Sequence, residues 1–241
     1  MTRYTYDFHV HSCLSPCADN DNTPNNIAGM ASLCRIGILA LTDHNSAKNC
    51  PAFFEAAHRV GIVPIGGMEL TTAEEIHVIC LFETLDGALE FDRLIEKRLF
   101  PIKNRPEVFG EQLILNGQDE IIGTEENLLI NATDVSLTEV PSLVQPLGGI
   151  CYPAHIDREA NGIITVLGTF PDTPAFSCIE LNDSKNAETY IERYGLGQKK
   201  ILVSSDAHYL TDFRDENDTL LLDDEPYSSA LVRKRVLEQL R

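Results

Sequence analysis

Tryptophan is absent from the chain, no two cysteines form a CxxC pair, and no stretch reaches the ~18 to 20 uninterrupted apolar residues of a membrane span. Seven cysteines, scattered at positions 13, 17, 34, 50, 80, 151 and 178, suggest neither a disulfide framework nor a zinc ribbon. Cys34, Cys80 and Cys178 are expected as reduced core filler. Cys13 and Cys17 are expected in a loop beside a histidine pair, where a ligand role is the alternative. The opening Met1-Thr2-Arg3-Tyr4 lacks the apolar core of a secretory signal, so a cytoplasmic protein without membrane contact is expected. Internal repeats and low-complexity tracts are also missing.

Positive charge is scarce. Lys and Arg number 19 against 37 Asp and Glu, a formal net charge of -18. Phosphate binding needs clustered Lys and Arg, so long duplex nucleic acid is not expected as a partner. A smaller phosphorylated substrate stays open, because bound divalent cations reverse the local polarity of an acidic site.

What remains is a 241-residue chain, 43% apolar, long enough to bury a substantial core and expected to form one domain over residues 1–241. Seven short apolar runs predict core strands at 4–10, 38–41, 62–65, 77–82, 150–153, 178–181 and 201–204. Helices fall between them: one opening at Thr23-Pro24 and stopped by Gly37, one over 51–60 closed by Gly61, one over 86–99, and a closing helix at 228–240. Repeated strand–helix alternation predicts an α/β fold with parallel strands, and seven such units favour a closed (β/α)7 barrel over an open sheet. Residues 100–147 break the alternation. A hairpin, 112–115 and 120–122 around Asn116-Gly117, is predicted inside that insertion, and a substrate-cover role is expected for it.

Six of the seven histidines lie at or beside these strands. His9 and His11 are two apart, so on a strand they share a face, and the spacing recurs in Asp206-Ala207-His208. Between them come Asp43-His44, Glu69, His77 and His155. Apart from His77, these residues sit at or just after strand ends, the face on which such barrels carry active sites. Imidazole with carboxylate suits zinc, manganese or iron, whereas a magnesium site is nearly all oxygen. At roughly four to six ligands per ion, this set can hold two or three divalent ions, with Glu69 able to bridge two of them. Asp7 and Asp43 are read as supporting carboxylates that orient neighbouring ligands.

The constellation resembles the PHP family, named for polymerase and histidinol phosphatase. The resemblance rests on Asp7, His9, His11 and Ser12; on Thr42-Asp43-His44; on Glu69 followed by His77; and on Pro153-Ala154-His155 and Ser205-Asp206-Ala207-His208. It implies a distorted seven-stranded barrel with up to three ions. One would be held by His9, His11, Glu69 and Asp206, a second by Glu69, His77 and His155, and a third by His44, His208 and a loop residue. For that last ligand Cys17, Asp19 and Asp21 are available, and Asp19 is chosen.

The implied activity is a metal-dependent phosphoesterase acting on a small phosphomonoester or short nucleotide through a metal-activated water. Arg158 could grip a substrate phosphate bidentately and Lys48 could add charge. Two alternatives are a proofreading-type phosphodiesterase, since the family includes domains of bacterial replicative polymerases, and a metal-binding regulatory module without catalysis.

Overall fold

The computed structural model describes residues 1–215 and 217–241. All seven expected strands are present. In chain order they are β1 (Thr2–Asp7), β2 (Ile38–Leu41), β3 (Val63–Thr71) and β4 (His77–Phe82), then β7 (Gly149–Pro153), β8 (Cys178–Leu181) and β9 (Lys200–Val203). The hairpin strands β5 (Leu113–Leu115) and β6 (Ile121–Thr124) lie within the insertion, and an unexpected β10 (Thr219–Leu222) follows. The helices are α1 (Pro24–Leu33), α2 (Cys50–Arg59), α3 (Leu85–Glu96), α4 (Pro106–Phe109), α5 (Val140–Val144), α6 (Ile163–Leu167), α7 (Ala187–Tyr194) and α8 (Ser229–Leu240).

Helix starts follow their capping residues. Thr23, Thr84 and Ser228 each accept a hydrogen bond from a first-turn amide of α1, α3 and α8. Contrary to the expectation from sequence, Gly37 does not stop the first helix: α1 ends at Leu33, and Arg35 makes the reversal itself at φ 58°. Among the described residues no helix is long and apolar enough to cross a membrane.

Six strands form one curled sheet in the order β10-β1-β2-β3-β4-β7, and β8 pairs with β9 in parallel. The strands are not all parallel, which corrects the expectation from alternation. β1, β2 and β3 run together, but β4 is antiparallel to both β3 and β7, and β10 is antiparallel to β1. The reason is chain length. Only residues 72–76 separate β3 from β4, closed by the Thr72 N–H donating to Ile76, whereas a parallel return needs about a dozen residues.

The result is a distorted α/β barrel. Its interior is lined by alternate residues, including Ile38, Val63, Ile65, Ile79, Leu81 and Tyr152, and is floored by Val232, Val236 and Leu240 of α8. Phe53, Phe91, Met68 and Val78 belong to the second layer, between sheet and helices. Two seams lack a regular ladder. Across the β1–β9 seam, Val10 bridges Ala207 and the Ser205 N–H donates to Oδ1 of Asp7 at 3.1 Å. Across the β7–β8 seam, the Ile156 N–H donates to the Glu180 carbonyl and the His155 N–H to the Glu180 side chain.

The β5–β6 hairpin is fixed to the barrel by buried polar side chains. Asn49 donates to Ser12 Oγ and to the Leu113 carbonyl, and accepts from the Leu115 N–H. Asn45, at φ 48°, donates to the carbonyls of Leu129 and Asn131 and accepts from the Thr71 N–H.

Candidate metal centre

β1 delivers the first pair. His9 and His11 are fully buried, and each has its Nδ1 engaged away from the mouth: His9 Nδ1 donates to Glu180 Oε1 at 2.8 Å, and His11 Nδ1 donates to Ser15 Oγ at 3.1 Å. Those bonds hold the rings so that both Nε2 atoms face one point. The two Nε2 atoms are 3.1 Å apart, and each lies 3.1 Å from Oδ1 of Asp206.

β3 brings Glu69 under this pair, and the reversal of β4 explains His77. Thr71 pairs with His77 across the β3–β4 ladder, so the start of β4 lies at the same rim as the end of β3. His77 Nδ1 is 2.8 Å and His155 Nε2 is 3.0 Å from Glu69 Oε1, while His44 Nδ1 is 3.1 Å from Glu69 Oε2. His44 is held at that place by a bridge to Glu69 and by its own N–H donating to Ser15 Oγ.

His155 and Asp206 adopt φ of 24° and 53°, in the left-handed region that non-glycine residues rarely visit. Such conformations cluster where a site requires a particular aim of the side chain. His208 completes the mouth, its ring 4.2 Å from that of His11 centroid to centroid.

Three groups of donor atoms lie within 4.8 Å of one another: His9, His11, Glu69 and Asp206; His44, Glu69 and His77; and His11, His44 and His208. The donor set fits divalent ions on a separate ground. Glu69 Oε2 and His44 Nδ1 are buried and 3.1 Å apart, yet neither makes a well-formed hydrogen bond. Two imidazole nitrogens that face each other and one carboxylate oxygen at 3.1 Å are reconciled by positive charge at that point, carried by a proton or by a metal ion.

The electrostatics divide the histidines. Burial lowers His9 and His11, but the carboxylates outweigh it: Asp206 and Glu180 raise His9 well above the usual imidazole range, and hydrogen bonds to Asp206 and Glu69 raise His11 to about 9. At His208 burial wins, aided by the charge on His11, and its imidazole is lowered to about 4. His44 is likewise lowered by burial, against the pull of Glu69.

The remaining sequence-predicted residues take other places. Asp7 accepts from the His9 and Ser205 N–H groups at the β1–β9 seam. Asp43 accepts from Ser12 Oγ at 2.6 Å and Ser15 Oγ at 2.7 Å, so it supports His11 through Ser15. Burial raises both carboxyls. Asp19 lies beside His208, its N–H donating to the His208 carbonyl at 2.9 Å and its carboxylate accepting from the Asp21 N–H at 2.8 Å, but it belongs to none of the three donor groups. Neither Cys17 nor Asp21 belongs to the three donor groups, although desolvation and then the charge of Glu69 push the Cys17 thiol up to about 12.

Lys48 pairs with Glu96 and with Glu125 beyond the hairpin. Arg158 reaches the mouth and contacts Asp206 and Asn182. Glu180 was missed in the sequence, although a glutamate inside the apolar run Cys178-Ile179-Glu180-Leu181 was the available signal.

A barrel that gathers imidazoles and buried carboxylates at one rim defines a metal-dependent hydrolase. The family model described as the PHP domain matches residues 7–165, and the chain belongs to the PHP family. DNA polymerase III PolC-type of Staphylococcus epidermidis is 26% identical over 212 residues, covering 76% of this chain but 14% of the polymerase. The lesion-specific endonuclease PfuEndoQ of Pyrococcus furiosus superposes with a TM-score of 0.70 at 15% identity, covering 100% of this chain and 57% of that one. Endonuclease Q in complex with a 27-mer duplex bearing an abasic lesion gives a TM-score of 0.61 at 17% identity, covering 87% of this chain and 50% of that one. The chain therefore spans about half the length of the endonuclease and a small part of the polymerase.

One expectation is overturned here. Net charge suggested that long duplex nucleic acid is excluded as a partner, yet a protein of this fold holds a 27-mer duplex with the lesion at its active site. The total of -18 is a sum over the whole surface, whereas a duplex meets only the residues around the mouth. Arg158, which contacts Asp206 of the cluster, donates to Asn182 Oδ1, and Arg214 donates to the Asn182 carbonyl.

Proposed function

We propose that this protein hydrolyses phosphate esters in nucleotides or nucleic-acid strands, using two or three ions of zinc, manganese or iron. The observation that carries the reading is the convergence of His9 Nε2, His11 Nε2, Glu69 and Asp206 on one buried point. These four would hold the first ion, and Glu69, His77 and His155 the second. His44 and His208 would hold the third, with His11 beside them. Such ions supply Lewis acidity toward a phosphoryl oxygen and lower the pKa of water.

The chain's own groups supply orientation and charge. Glu180 and the Asp43–Ser15 pair hold the His9 and His11 rings by their Nδ1 sides. Arg158, whose side chain is 41% exposed beside Asp206, grips the substrate phosphate. The polymerase and endonuclease relatives support a nucleic-acid substrate. Seven unpaired cysteines favour a reducing, cytoplasmic setting.

Residues 100–147 serve as a fixed wall over the mouth, since Asn45 and Asn49 tie them to the strand ends that carry His44 and Glu69. Deleting 111–123 should lower activity on at least one substrate, and unchanged activity on all of them would remove that role.

The test is a panel of p-nitrophenyl phosphate, mononucleotides, and single- and double-stranded oligonucleotides, run with manganese, zinc and iron separately. Hydrolysis of at least one member, abolished in His9→Ala, supports the proposal. No hydrolysis by metal-loaded protein, or activity surviving in His9→Ala, overturns it.

A further inference from the structure

Glu180 is 1% exposed on a strand otherwise made of apolar side chains. Burying a carboxylate costs several kcal/mol unless it is paired, so its position requires a return. Its Oε1 accepts two hydrogen bonds, from the His9 ring at Nδ1 (2.8 Å) and from the His155 backbone N–H (3.2 Å). Its Oε2 is buried without a partner. His155 is the residue whose backbone stands at φ 24°. A single oxygen thus holds the ring of one donor and the strained backbone of another, across the one seam where β7 and β8 have no ladder.

We infer that Glu180 is a positioning residue that sets the tautomer of His9 and couples the first ion site to the second through His155. It rests on the metal-dependent reading of the mouth but is independent of the substrate. With Nδ1–H committed to Glu180, His9 can present only Nε2 to an ion, and the carboxylate makes that nitrogen a stronger donor. Because the same oxygen fixes the turn of His155, moving it displaces donors of both sites at once. Asp7, the buried carboxylate of the opposite seam, accepts from the His9 and Ser205 backbone N–H groups and is hydrogen-bonded to no imidazole ring.

The test separates charge from position. Glu180→Gln keeps the reach and removes the charge; Glu180→Asp keeps the charge and withdraws it by one methylene. Zinc stoichiometry and stepwise affinity are measured by chelator competition on wild type and both variants, with thermal melting of the metal-free forms as the folding control. Both variants should weaken the first two zinc ions together, each by roughly 10- to 100-fold. Unchanged affinities, or loss at one site alone, would overturn the coupling.

If neither variant folds, nitrogen-15 spectra of the zinc-loaded wild type still decide the matter. They should show His9 protonated at Nδ1 and metal-bound through Nε2, and the opposite tautomer sinks the inference. Wild type binding no zinc would instead defeat the metal reading of the mouth, and the inference with it.

Discussion

The guanidinium of Arg158 stands against Asp206, with Nη1 2.5 Å from Oδ2, while the carboxylate's other oxygen faces His9 and His11. One acidic residue therefore joins the donor cluster to the open cation that a substrate phosphate would meet. Arg158→Ala should lower kcat/KM by about 10- to 100-fold, the scale of one charge-assisted pair. Arg158→Lys should recover only part of it, because an ammonium lacks the bidentate fork. Steady-state kinetics on the preferred substrate checks both, and equal kcat/KM in wild type and Arg158→Ala would remove the arginine from substrate binding.

Asn49 is fully buried and makes three bonds that join Ser12 to the hairpin strand β5. Asn49→Ala would leave the Leu115 N–H and the Leu113 carbonyl without that partner, at a cost of about 3 kcal/mol. Urea unfolding should show the loss, and amide exchange at Leu115 should quicken more than at strands far from the hairpin.

Gly67 has no room for a side chain. A Cβ there would lie 2.8 Å from the Cys80 carbonyl and 2.9 Å from side-chain atoms of Leu81 and Thr42. The carbonyl belongs to the strand paired with β3 and cannot give way cheaply. Gly67→Ala should cost about 2 to 3 kcal/mol by denaturant titration, and it should also weaken metal binding through Glu69, two residues on.

Asp224 accepts from Tyr4 Oη at 2.6 Å and Thr2 Oγ1 at 2.8 Å, and these two bonds, the tyrosine's first, hold its carboxyl below the usual range. A depressed carboxyl stabilises the fold above its ordinary pKa, and that contribution is lost as pH falls through the folded-state value. Tyr4→Phe should therefore melt below wild type at about pH 7, and the gap should narrow as pH falls below the ordinary carboxylate range. A gap that persists or widens in acid would point to lost packing instead.

Much of this architecture was legible because each core strand is a short apolar run with polar or turn residues around it. Direction was not: the run 77–82 reads alike in either sense, and the brevity of 72–76 decided that it turns back. β10 escaped notice because only Leu220 and Leu222 point inward while Thr219 and Leu221 are exposed. The pairs His9–His11 and Asp206–His208 stand out by their two-apart spacing, whereas His44, His77 and His155 could be read only through the family resemblance. The loop carboxylates could not be ranked that way, since the fold of the loop decides that Asp19 lies against His208 through its own amide. Glu180 required a question about every charged residue within an apolar run.

The short link between β3 and β4 has a consequence for how this site tolerates change. Glu69 and His77 sit on adjacent arms of one hairpin, and their approach is set by counting residues through the bend at 72–76. Because strand faces alternate with every residue, one residue inserted before His77 would turn its imidazole to the outer layer and bring Ile76 toward the mouth. The hairpin works as a ruler, and lengthening of that turn should be tolerated only in steps that restore its count.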